Sequence, residues 1–132
     1  MRWNVVPSNE EVALLMEAGF IYRDAKSFQE AREVFSGVRA LFPQSEVAEV
    51  ALGTVRFQES DFSGAQKHYK KALELNPRSA FAYGHLGEAC LFNKDKEGAK
   101  TNLKKAIELD PKGENGKMAR RLLELIDQVS FQ

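Results

Sequence analysis

Three prolines stand 34 residues apart, at Pro43, Pro77 and Pro111. Gly19, Gly53 and Gly87 keep the same interval, and so do Ala31, Ala65 and Ala99. A fixed period of a few tens of residues means stacked copies of one supersecondary unit. Further columns join the register. Phe35, Tyr69 and Leu103 follow each alanine by four residues, and Ala18, Leu52 and Leu86 precede each glycine. Leu15 and Tyr83 lie four residues before their glycines, a column that Glu49 breaks in the middle copy. Tyr22, Arg56 and Cys90 lie three residues after them.

The residue types explain the unit. Glycine costs ~1 kcal/mol against alanine in a helix interior, so three at one period have a packing reason. Gly19 and Ala31 are expected to face each other across a helical hairpin, as are the next two pairs. Each proline lies just past a helical run and stops it. Ser8-x-x-Glu11 and Ser27-x-x-Glu30 read as capping boxes, and Asp61, Ser79 and Asp95 as N-caps. Helices are predicted over 9–24, 27–41, 46–58, 61–75, 79–93, 95–109 and 116–130. The last carries Met118, Leu122, Leu125, Ile126 and Val129 on one stripe, with Lys117, Arg120, Arg121, Glu124 and Asp127 opposite. A repeat array needs such a cap, or its final copy shows its core to water.

The pattern Leu15-x₂-Ala18-Gly19-x₂-Tyr22…Ala31-x₃-Phe35…Pro43, with its two successors, resembles the tetratricopeptide repeat (TPR) family. The resemblance spans about residues 12–113. It implies an all-α fold, a right-handed superhelix of three TPR hairpins plus a C-terminal capping helix. The expected organisation is an N-terminal extension over 1–8, three repeats over about 12–45, 46–79 and 80–113 within 9–115, and a capping helix over 116–132.

The resemblance also implies that the first helix of each hairpin lines a concave groove. Its inward positions are Ala13, Met16, Phe20, Arg23 and Asp24 in the first copy, and Val47, Val50, Thr54, Phe57 and Gln58 in the second. In the third they are Phe81, Gly84, Glu88, Leu91 and Phe92. These residue types make an apolar trough, and an extended apolar patch marks a binding surface. The expected partner is a protein or peptide with an apolar or amphipathic segment. Some members clamp a chaperone's carboxylate tail with Lys, Arg and Asn. The matching positions here are Met16, Phe20, Ala51, Phe81 and His85, none of them of those types. Length, repeat number and groove character are more similar to the TPR chaperones of bacterial type III secretion. The expected function is thus a small chaperone or assembly adaptor.

Composition bounds the alternatives. The formal net charge is zero, so no global field draws the chain to nucleic acid or membrane. Residues 1–65 carry −4, however, and residues 66–132 carry +4. Lys67, Lys70, Lys71 and Lys100, Lys104, Lys105 recur on successive second helices, a solvated face interleaved with Glu74 and Glu108. Cys90 is the only cysteine and occupies a packing column. With His68 and His85 it forms no recognisable catalytic spacing, and there is no phosphate loop or metal-ligand cluster. A non-enzymatic protein without metal or cofactor is expected. Met1–Pro7 lacks the apolar stretch of a signal peptide, and no apolar run approaches the ~20 residues of a membrane span. A cytoplasmic location is expected. Trp3, Val5 and Val6 belong to no repeat, which leaves an alternative: a self-assembling scaffold whose groove takes its own or a neighbour's N-terminal segment, and so a homo-oligomer.

Overall fold

The structure is a computed structural model and describes residues 7–128. Among these residues seven α-helices follow one another: α1 (Asn9–Asp24), α2 (Phe28–Leu41), α3 (Glu46–Gln58), α4 (Phe62–Leu75), α5 (Ala80–Phe92), α6 (Lys96–Leu109) and α7 (Glu114–Ile126). Among the described residues there is no strand. Three pairs, α1 with α2, α3 with α4 and α5 with α6, pack as hairpins, and α7 closes against α5 and α6. The last helix begins two residues before its predicted start. Val129, Trp3, Val5 and Val6 lie outside the described residues.

The hairpins are stacked unevenly. α1 touches α3, α3 touches α5 and α5 touches α7, whereas α2, α4 and α6 do not touch one another. The first helices therefore form a close inner layer and the second helices a splayed outer one.

The glycine column explains how each hairpin closes. A Cβ on Gly19 would run into the Phe35 ring, one on Gly53 into Tyr69, and one on Gly87 would lie 2.7 Å from Leu103 Cγ. The glycine's tight neighbour is thus the large residue four after the alanine, and not the alanine the spacing suggested. Phe35, Tyr69 and Leu103 are wholly buried, as are Ala31, Ala65 and Ala99. Each hairpin is a ring or branched side chain laid into a notch on its partner.

The turns inside the hairpins repeat as well. Lys26, Ser60 and Lys94, 34 residues apart, all have φ near 65°. The next residue's N–H returns to the carbonyl of Tyr22, Arg56 or Cys90 at 2.8–2.9 Å. This is a Schellman closure whose left-handed position is filled without glycine.

The caps divide by chemistry. Ser8 and Glu11 form the expected reciprocal box. Asp61 accepts from Gly64 N–H, Ser79 from Ala82 N–H and Asp95 from Gly98 N–H. The predicted box at Ser27 does not form. Asp61 and Asp95 occupy the matching turns with similar backbone angles. Their side chains are longer, and they lie where a Cβ of Gly64 or Gly98 would be. Ser27 is shorter, and its ψ of 69° departs from the extended 165° at which Ser8 caps.

Candidate functional site

The inner layer presents three chemically different stretches. At the first, α1, the end of α2 and the start of α3 enclose a pocket of about 270 Å³ lined by Val12, Met16, Val38, Phe42 and Val47, with Asn9 and Ser45 at its edge. Val38 and Phe42 continue the stripe Ala31, Phe35, Val38, Phe42 that buries α2 against its neighbours. The stripe runs past the helix end, and its last members turn from core into pocket wall.

The second stretch is polar. Arg23, Thr54, Gln58, Tyr69, His85 and Glu88 meet with Phe57 around a smaller cavity of about 220 Å³. Arg23 Nη1 donates to Thr54 Oγ1 at 3.0 Å, its guanidinium pairs with Asp24 at 2.9 Å, and it lies over the Phe20 ring. Gln58 Nε2 donates to Asp24 at 3.2 Å. The hydrogen bonds of Arg23 and then Gln58 hold the Asp24 carboxyl below its ordinary range. Burial, followed by the charge of Glu88, pushes the Tyr69 phenol far up, so it stays protonated. Among the described residues the Tyr69 hydroxyl and His85 Nδ1 are buried without a hydrogen-bond partner, although Glu88 Oε1 lies 3.5 Å from His85 Nδ1.

The third stretch is aromatic. Phe57 stacks edge-on against Phe62 and Phe92, with centroids 5.2 and 5.0 Å away. Phe92 remains 53% exposed. Phe81 lies edge-on to His85 at 4.8 Å.

These positions revise the expectation of a continuous apolar trough. Val50 is fully buried, and Met16, Thr54, Gly84 and Leu91 are buried too, because the inner layer packs α1 on α3 on α5. Of these five, Met16 and Thr54 line the two cavities described above. Ala13, Val47 and Phe92 are exposed, and Phe20, Phe57, Phe81 and Glu88 are half-buried. Val12, Val38, Phe42 and Tyr69 were not among the expected groove residues, and His85 was named only as a position matching the carboxylate clamp. Tyr69 reaches the inner face because Gly53 lets its ring through.

The side of α3 that faces α2 and α4 holds the break in the repeat. Glu49 is 1% exposed. Its carboxylate takes His68 Nδ1 at 2.9 Å and Arg39 Nη1 at 3.3 Å. Burial alone would raise its pKa; the hydrogen bonds from His68 and Arg39 outweigh it and hold the group below the ordinary value. His68 therefore turns inward to Glu49, in the same cavity wall as Lys67 and Lys71. Cys90 is buried, with Gln66 Nε2 at 3.4 Å from Sγ, and burial pushes its thiol up. It packs as a small apolar side chain. No helix among the described residues is long and apolar enough to cross a membrane.

A family model described as tetratricopeptide repeat matches residues 56–123. No curated protein sequence matches the chain. Among solved structures, the chain is similar to SycD, the type III secretion translocator chaperone of Yersinia enterocolitica. The TM-score is 0.78 and the identity 19%, over 92% of each chain. It is similar to PcrH of Pseudomonas aeruginosa in complex with the chaperone-binding region of PopD. Here the TM-score is 0.74 and the identity 18%, over 96% of each chain. It is also similar to the first TPR domain of Spaghetti (RPAP3) bound to the HSP90 peptide SRMEEVD. That match has a TM-score of 0.75 and 22% identity, over 95% of this chain and 97% of the other. At these identities the likeness is one of fold.

Proposed function

Because the chain belongs to the tetratricopeptide repeat family, we propose that it is a non-enzymatic interaction module. It holds an apolar or amphipathic segment of a partner protein against its inner layer, as a small chaperone or assembly adaptor of the type III secretion kind. The observation that carries this reading is the apolar pocket between α1, α2 and α3, with Val47 41% exposed at its rim. A cavity of that size takes one leucine- or phenylalanine-sized anchor, and full burial of such a side chain contributes about 1.5–3 kcal/mol. The aromatic stretch at Phe57 and Phe92 offers a second anchor point. Two or three anchors, less the cost of ordering the ligand, give roughly micromolar binding.

Two of the similar structures hold a segment of another protein, an HSP90 peptide in one and a region of PopD in the other. The acidic-tail mode fits this chain less well. The five positions matching the clamp are Met16, Phe20, Ala51, Phe81 and His85, and Met16 and Ala51 are buried. An apolar ligand fits better.

The test is binding of short random peptides selected on the protein by phage display. Val47→Asp places a charge at the pocket rim. It sits in the first turn of α3, where an acidic residue favours the helix, so the fold is kept. Selected peptides are expected to lose about tenfold or more in affinity, one desolvated charge being enough. Thr101→Asp, at an exposed position of α6, serves as control. Equal binding to both variants rejects the proposal.

A second reading, self-assembly, has an observation of its own. α1 turns Leu14, Leu15, Ile21 and Tyr22 outward, each 40–65% exposed. If that face joins two copies, Ile21→Glu lowers the mass in solution; if the protein is monomeric, the mass is unchanged.

A further inference from the structure

We propose that the outer layer carries a second ligand site, a pocket for a phosphate group, on the far side of α3 from the peptide-binding face. The middle repeat departs from the 34-residue pattern at two columns. Glu49 stands where the other copies have Leu15 and Tyr83, and Arg56 where they have Tyr22 and Cys90. The two are seven residues apart on α3, about two helical turns, and so share a face. Both departures line one cavity of about 460 Å³ between α2, α3 and α4, larger than either cavity on the inner side. A volume of that order is the size of a small-molecule site.

Its charge is specific. Arg39 from α2, Arg56 from α3, and Lys67 and Lys71 from α4 converge on it. Glu49 and Asp61 are the acids in its wall, which leaves two positive charges without a counter-charge there. Asp61 is turned to the N-cap of α4. Glu49 is buried beneath the floor and orients Arg39 and His68. Among the described residues Arg56, Lys67 and Lys71 make no salt bridge. A dianion balances the pocket where a single carboxylate would not. Guanidinium groups offer a planar fork suited to phosphate oxygens, and the lysines add point charges. The third repeat supplies an internal contrast. Its corresponding outer cavity is lined by Tyr83, Thr101, Asn102, Lys104, Lys105 and Glu108; it holds no arginine, and Lys105 there is paired with Glu108 at 3.5 Å.

The phosphate could sit on a protein side chain or on a small ester. The experiment titrates ¹⁵N-labelled protein with inorganic phosphate, AMP and N-acetyl-phosphoserine amide in turn, at constant ionic strength. Saturable shifts are expected at the amides of Gly64, Lys67 and His68. Replacing Arg56→Gln with Lys67→Gln is expected to weaken binding about tenfold or more. Both residues are exposed, and a thermal melt checks that the variant folds. The control pair Lys104→Gln with Lys105→Gln, on the third repeat's outer face, should leave binding unchanged. Tighter binding of the phosphoserine derivative supports a protein-borne phosphate, and tighter binding of AMP supports a small ester. The proposal is overturned if no probe saturates, or if both pairs of substitutions weaken binding alike.

Discussion

α1 and α3 are copies of one 34-residue template, yet they live in different environments. In α3 the eight residues Ala48–Val55 are all buried; in α1 only Met16 and Gly19 are. Ile21 is 64% exposed, and its counterpart Val55 is wholly buried. The cause is position in the stack. Among the described residues α3 is packed on by α1, α2, α4 and α5, whereas α1 meets only α2 and α3. Burial in such an array belongs to neighbours as much as to the repeat, which is why end copies are atypical. The other end is finished differently: α7 continues the inner layer and buries Ala119 and Ile126 against it. α1 keeps an apolar outer face instead.

The largest test of this contrast lies in the matched column. Val55→Ala is expected to lower stability by about 2–3 kcal/mol, because it leaves a cavity in the packed middle repeat. Ile21→Ala should stay within about 0.5 kcal/mol. Urea denaturation of both variants reads the difference directly, and equal losses would mean that the exposed face of α1 is covered in solution.

Next comes Glu49 against its counterpart Leu15, which is 40% exposed. Glu49→Gln weakens the hydrogen bonds to His68 and Arg39 and is expected to cost about 1–2 kcal/mol at neutral pH. Leu15→Ala should cost less. Glu49 carries a further sign. Its folded-state pKa lies below the ordinary value, so its contribution is present above the unfolded glutamate pKa, about 4.3. It is lost as pH falls through the lower folded value. The gap between wild type and Glu49→Gln should therefore be full at neutral pH and narrow in acid. Melts run from pH 7 down to about 3 check this.

The smallest expected effect is one in which the copies agree. Lys26 and Lys94 sit in the same left-handed turn. Replacing either by glycine relieves about 1–2 kcal/mol of strain and costs part of that in unfolded-state entropy. A net gain of about 0.5 kcal/mol is expected at both sites, seen as a small rise in melting temperature. Unequal responses would show that the turns are not equivalent.

The helices, their order and the closing helix were legible because they follow from local chemistry repeated in register: prolines after helix ends, aspartates before helix starts, glycines where rings pass. The groove was less legible. Val50 and Phe92 both satisfy the inward spacing, but one is sealed by the neighbouring hairpins and the other stands open. Spacing along a helix does not reveal the distance to the next helix. Val38 and Phe42 were missed because a pocket wall can come from the second helix once its stripe outruns its partner. Glu49 was visible as a break in a column. Its partners Arg39 and His68 lie on two other helices, so its purpose needed three-dimensional contact.

The most direct test of the inner layer as the binding face is a map of backbone amide shifts on adding a phage-selected apolar peptide to the labelled protein. The largest shifts are expected on α1, α3 and α5, at Val12, Val47, Thr54, His85 and Glu88. Shifts confined to Lys67, Lys71 and Lys104 on α4 and α6, with Val47 and Thr54 unmoved, would contradict this.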